Sequence, residues 1–443
     1  MAASAGARDG RSPLSIELST VDGAPLDELR FTNAGSDTFR WTPDRFRVTV
    51  RGGDPDDMAG SRLHLVPPAN WRVLPGGSRE WLVFPAGIPS FPVVLRVVRP
   101  EAGQQTVVAE SPVPVVFCGR NRFDPGRDRL PWANRLDDLG TVDPDSRHFR
   151  ATFRFALAPR LFFRGLYSEV VGLRRLPDGR VSGGLCTGLS RVALARALGQ
   201  LEEPEGLRDL VLVLHGRQLS DRALLAGLPW FLFPSPRRAY RAFVNDLLER
   251  GWSERCFDIN VPRPWRRDVI RALLGQGHTV VPYAFCQRDA DQAQVWVYDP
   301  NIPDQADASI VTFDLRRDRY RYPPLAVDER RTTVVAVPLE AYLRGRTAIL
   351  ASLGNLFLLA YEHARKSRRA RRVAAMVFLA SCGAMLWKYI GGRQRAGRLS
   401  ETQRARRLTS ASRSAAASAA SASRRSYAPP ACHSCRGSRS GCC

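Results

Sequence analysis

The chain has no apolar run long enough to cross a bilayer in the ordinary way. Its longest, Val373–Trp387, is 15 residues, short of the roughly 20 that a spanning helix needs, although Arg372 and Lys388 stand where they can snorkel from its ends. Met1–Ser12 is small and polar, so no secretory signal peptide is expected. The nine cysteines are scattered, at 118, 186, 256 and 286 in the body and at 382, 432, 435, 442 and 443 beyond it. That spread does not read as a disulfide framework, and reduced thiols in an intracellular setting are expected. Cys432-His433-Ser434-Cys435 has no second ligand pair beside it, so no metal and no cofactor is expected. There is no Gly-x-Ser-x-Gly elbow: Ser190 follows Gly188, but Val192 stands where the second glycine would be. An α/β-hydrolase is thereby excluded, despite the apolar run Leu210–Leu214 ahead of His215-Gly216.

Acidic residues almost vanish after position 363. Residues 364–443 carry 18 Lys/Arg against Glu401 alone, which places +17 of the +23 net charge there. The rest of the chain is near neutral, and with 44% hydrophobic residues over 443 positions it can bury real cores in two or three domains. The basic clusters, such as Arg368-Arg369, Arg371-Arg372 and Arg404–Arg407, are expected to attract an acidic membrane surface, or nucleic acid without sequence preference. A cytoplasmic chain drawn to membranes through its C-terminal region follows.

Residues 13–118 contain short alternating stretches separated by Gly, Pro, Asn and Asp clusters, including 14–21, 28–33, 46–51, 71–74, 80–84, 93–98 and 106–116. This spacing predicts an all-β sandwich of immunoglobulin-like size. Residues 119–152, rich in Pro, Gly, Asp and Arg, read as a linker. Residues 153–345 mix helices, expected at 188–198, 237–250 and 266–274, with a late hairpin of strands 279–285 and 294–298. A further helix is expected at 347–361 within an apolar helical region, 346–390, whose part 373–390 is a candidate membrane segment. The Ser/Ala/Arg/Cys-rich remainder, 391–443, cannot bury a core and is expected to be disordered.

One segment carries chemistry. In Ser182-Gly183-Gly184-Leu185-Cys186-Thr187-Gly188-Leu189-Ser190 the cysteine falls where a helix begins, and the helix dipole and free amides there favour a thiolate. The flanking glycines leave room for a substrate. Of six histidines, His278 opens the first hairpin strand, and a turn centred near 288–290 brings residues 298–302 opposite it. Asp299 or Asn301 is thus placed to orient the imidazole, with the carboxylate on Nδ1 and Nε2 facing the thiol.

These motifs, with Gly277-His278-Thr279-Val280-Val281-Pro282-Tyr283 and Val297-Tyr298-Asp299-Pro300-Asn301, resemble the papain-like cysteine peptidase superfamily. They are most similar to bacterial proteins related to the double-glycine leader peptidases, over roughly residues 167–303. The resemblance implies an α+β papain-like domain that cleaves a peptide or isopeptide bond in a peptide or protein substrate. Cys186 would be the nucleophile, His278 the base and Asp299 its orienter, with Asn301 the weaker choice for that last role. The family places a glutamine six residues before the cysteine as an oxyanion donor; here that position is Arg180, and no second donor is evident. Two rival readings share the motifs: a transglutaminase-like acyl transfer, and a non-catalytic papain-like scaffold that binds a protein partner at a membrane.

Overall fold

The computed structural model describes residues 14–363 apart from 35, 53–62, 102–103, 176, 178–180, 202–205, 263–276, 306–308 and 326–330. The expected helix 266–274, the segment 373–390, the tail 391–443 and Arg180 lie outside the described residues. Among the described residues no helix is long and apolar enough to cross a membrane.

The chain is of mixed α and β content with several sheets. β1 (Ser15–Ser19), β4 (Phe46–Arg51), β7 (Glu80–Phe84) and β6 (Arg72–Pro75) form one antiparallel sheet, and β5 (His64–Val66), β8 (Val94–Glu101) and β9 (Gln104–Pro112) form another. Their alternating inward residues, among them Phe46, Val48, Trp81, Val83, Leu95 and Val97, share one core with Trp71, which stands just ahead of β6. Within residues 13–118 the strands not expected from sequence are β3 (Arg40–Thr42) and β5, each three residues long and too short to show an alternating pattern.

β2 (Leu29–Thr32), β3 and β10 (Val115–Arg120) do not close that core alone. They extend a nine-stranded sheet with β15 (His278–Gln287), β16 (Gln292–Tyr298), β17 (Ile310–Asp314) and β18 (Arg319–Arg321), and β14 (Phe257–Pro262) and β19 (Thr332–Val335) continue it beyond the first half of β15. β15 is the spine of this sheet. Its first residues pair with β14, its last with β10, and its other edge with β16. The strand is buried on both faces, as its near-continuous apolar run requires. One face packs on α9 (Pro236–Arg250) through Val280, Phe285, Tyr240 and Phe243. The other packs through Val281, Tyr283 and Tyr298 against α6 (Cys186–Ala197) and α7 (Leu207–Gly216).

Residues 119–152, read from composition as a linker, carry α1 (Pro125–Asp128), α2 (Leu136–Leu139) and α3 (Ser146–Thr152). They place Phe123, Leu130, Leu139 and Phe149 in the core beside α6. After β11 (Phe155–Ala156), α4 (Pro159–Phe162) runs through a π turn at Phe163–Tyr167 into α5 (Ser168–Val171). The hairpin of β12 (Leu173–Arg175) and β13 (Val181–Gly183) then delivers the chain to the cysteine. The run Leu210–Gly216, strand-like in composition, is part of the helix α7, because Val211, Leu212 and Leu214 fall on a face that packs on α6. α8 (Asp221–Leu232), α10 (Glu340–Leu343), β20 (Thr347–Ala348) and α11 (Ile349–His363) complete the described chain.

The expectation that all body cysteines are free is corrected: Cys118 and Cys286 face each other across β10 and β15 and are disulfide-bonded. Sequence separation hid the pair, because only sheet register brings positions 168 residues apart into contact. Cys186 and Cys256 are free and buried.

Candidate active site

Cys186 is the first residue of α6. Two glycines permit this placement. Gly183 has φ +80°, and a Cβ there would strike the Gly172 carbonyl. Gly188 lets α6 and α7 approach so closely that a side chain would run into the Val211 carbonyl and His215.

The hairpin register fulfils the spacing argument. Val281 lies opposite Tyr298, and just past the strand end the His278 Nε2–H donates to Asp299 Oδ1 at 2.7 Å. The three expected residues therefore meet, but the ring is used the other way round from the expectation: the carboxylate holds Nε2, which leaves Nδ1 for the thiol. The reason is depth. Asp299 is 2% exposed, its Oδ2 accepts from the Tyr322 hydroxyl at 2.6 Å and its Oδ1 from the Asn301 N–H at 2.7 Å. So anchored, it meets the ring at its far tip. Asn301 takes a different place from Asp299, with its amide Nδ2 3.4 Å from His278 Nδ1.

Burial alone would raise the Cys186 thiol pKa. The hydrogen bond and charge of His278, with the Thr279 N–H, overcome it and hold the thiol below its ordinary value. Burial likewise opposes a charged His278, yet Asp299 and the thiol raise the imidazole well above its usual range. Asp299 is lowered, against its own burial, by His278, Tyr322 and Asn301. A thiolate beside an imidazolium, with the ring oriented by a carboxylate, is a nucleophile with its proton donor in place.

The floor beneath these groups is a polar network that composition did not reveal. Arg191, one turn beyond the cysteine and 0% exposed, donates to both Asp258 oxygens at 3.1 Å and lies 3.4 Å from the Tyr342 ring centroid. The Thr279 hydroxyl donates to Asp258 at 2.7 Å and meets the Thr187 hydroxyl at 2.8 Å, while Ser190 Oγ donates to the Thr279 carbonyl at 2.8 Å. This network fastens the helix of the cysteine to the strand of the histidine.

Asn134, in the stretch read as a linker, was also missed. Its Oδ1 accepts from the Leu185 N–H at 2.6 Å, its Nδ2 donates to Asn301 Oδ1 at 2.8 Å, and its backbone N–H donates to the Pro300 carbonyl at 2.7 Å. It ties the turn before Cys186 to the loop after Asp299. His215, set aside with the hydrolase reading, caps the helix that Cys186 begins: its Nδ1 accepts from the Gly188 N–H at 3.3 Å and its Nε2–H donates to the Val170 carbonyl at 2.9 Å. Burial lowers its pKa to about 4, so the ring is neutral at neutral pH.

Cys186 and His278 open into a cleft of about 490 Å³, lined also by Asn134, Leu166, Glu169, Val170, Gly183, Gly184, His215, Gln218 and Asn301. Its size suits a few residues of substrate. Among the described residues no group of three or more His, Cys, Asp or Glu is arranged to hold a metal. Comparisons of the chain with family models, with curated proteins and with solved structures found no match.

Proposed function

We propose that the chain is a papain-like cysteine hydrolase that cleaves a peptide or isopeptide bond, with an N-terminal immunoglobulin-like sandwich preceding the catalytic domain. The observation that carries this reading is the imidazole of His278, hydrogen-bonded to the buried Asp299 carboxylate and sharing one cleft with the thiol of Cys186 at the start of α6. In the proposed reaction the Cys186 thiolate attacks the substrate carbonyl carbon, and the electron pair of the C=O bond moves to oxygen. His278 gives its proton to the leaving nitrogen as the C–N bond breaks, leaving a thioester. Water, deprotonated by the now neutral imidazole, attacks the thioester, and the thiolate and imidazolium are restored. The oxyanion needs donors at the moment it forms. The Cys186 N–H is one, and we assign as the second the remaining N–H of the Asn134 amide, whose other proton goes to Asn301, in place of the glutamine that the resemblance leads one to seek.

The test is iodoacetamide labelling against pH, read by mass spectrometry at each cysteine, on the wild type and on His278→Ala. The expected result is a Cys186 profile with an apparent pKa well below the free-thiol value of about 8.5, and a return towards or above that value in the mutant. A Cys186 that labels no faster than Cys256 in either protein removes the hydrolase and leaves the protein-binding scaffold. If the profile is as expected, incubation with peptides and added primary amine separates hydrolysis from acyl transfer, because a transglutaminase-like enzyme gives amide products.

A further inference from the structure

We infer that Glu169 selects substrates bearing a lysine or arginine side chain close to the bond attacked by Cys186. The inference rests on the hydrolase reading above and adds the substrate class. Glu169 stands on α5 in the wall of the cleft, with Leu166 and Val170 beside it. Its carboxylate is exposed and has no ion pair or hydrogen bond among the described residues. The other polar side chains of the lining are already engaged. His215 is neutral with both ring nitrogens bonded, and Gln218 Nε2 donates to the His215 carbonyl at 2.9 Å. Thr187 is bonded to Thr279, and Asn134 and Asn301 are bonded to each other.

The two remaining charges of the site, the Cys186 thiolate and the His278 imidazolium, offset one another, and Asp299 lies behind the ring. Arg135, whose guanidinium donates to the Asn301 carbonyl at 3.0 Å, puts positive charge beside Asn301. The negative part of the cleft is therefore at Glu169. A carboxylate bordered by aliphatic surface matches a side chain with an aliphatic stem and a cationic head, which buries the stem while it pairs the charge.

The test measures the rate of Cys186 modification in the full-length protein, by mass spectrometry of its peptides, with methanethiosulfonates of different charge, each rate being divided by that on a free thiol. The cationic trimethylammonioethyl and the anionic sulfonatoethyl reagents are compared on the wild type, Glu169→Gln and Glu169→Lys. Removing one charge several ångströms from the thiol is expected to lower the cation-to-anion rate ratio on the order of five-fold, and reversing it to lower the ratio further. In parallel, cleavage of a mixed peptide library by the wild type is expected to be enriched for Lys or Arg near the cut, with that enrichment lost in Glu169→Gln. A ratio and a cleavage pattern unchanged across the three proteins overturn the role of Glu169 while leaving the hydrolase standing. The uncharged methyl methanethiosulfonate separates the two failures: if it does not modify Cys186 in the wild type, the hydrolase reading falls and this inference falls with it.

Discussion

Cys186 begins helix α6 and Cys256 lies just ahead of strand β14, and both are buried free thiols in the neighbourhood of Arg191 and Asp258. Burial pushes Cys256 up to about 12, because the Arg191 charge that favours its thiolate is largely answered by Asp258. Cys186 suffers the same desolvation and still falls below its ordinary value. The difference lies in what faces the sulfur: an imidazole with a carboxylate behind it and a backbone N–H at one thiol, a guanidinium paired with Asp258 at the other. Enclosure sets the penalty for charge, and the donors decide whether the charge forms.

The strongest way to break this contrast is to remove its cause. His278→Ala should make Cys186 behave as Cys256 does and lower peptide turnover by about 10² to 10⁴-fold, measured as kcat/KM on a fluorogenic peptide together with the labelling profile. Next is the floor common to both thiols. Asp258→Ala, which leaves the Arg191 guanidinium buried without its carboxylate, should cost about 3 to 5 kcal/mol in urea unfolding. The paired change Arg191→Met with Asp258→Leu should recover much of that loss, because it removes both charges together. Asn134→Ala sharpens the comparison by separating activation of the thiol from stabilisation of the oxyanion. Turnover should fall about 10² to 10³-fold, roughly 2.7 to 4 kcal/mol, while the pH profile of Cys186 alkylation keeps its low apparent pKa.

The smallest effect concerns His215. Its folded-state pKa of about 4 is depressed from 6.5 by burial, so the unfolded chain binds more protons between those values and stability falls as pH drops from 6.5 to 4. Above 6.5 the contribution is fully present. The window is worth at most about 3 kcal/mol, because protonated Nδ1 becomes a donor facing the Gly188 N–H. His215→Gln should flatten the slope of unfolding free energy against pH in that window. For His278 the sign is opposite: its folded pKa is raised, so its contribution is complete below its unfolded value and is lost as pH rises through the folded one.

Period-two strands, a hairpin around a polar turn and glycines around a cysteine were legible because each is local. Counting residues through the turn was enough to bring His278 to Asp299, and the alternation of 46–51 and 80–84 was enough for two paired strands. What escaped was set by three-dimensional context. Arg191 carries a charge that sequence reasoning assigns to solvent, and only Asp258 and the Tyr342 ring, far along the chain, explain its place in the core. Asn134 sits among residues that favour turns, so its contacts with Leu185 and Asn301 were invisible without the sheet that gathers all three. The choice between the two ring nitrogens of His278 depended on how deep Asp299 lies, which spacing alone does not specify.

The Cys118–Cys286 bond closes the intervening chain into a covalent ring. Cys186 and His278 belong to that ring, whereas Asp299 lies just outside it, thirteen residues beyond the closure. A single backbone cut anywhere between 119 and 285 therefore leaves one molecule, with Cys186 and His278 still tethered to the strand that leads to Asp299. The same cut after reduction leaves two polypeptides with no covalent link, so the wholeness of the site under proteolysis is governed by one cross-link between β10 and the far end of β15, the strand that His278 opens.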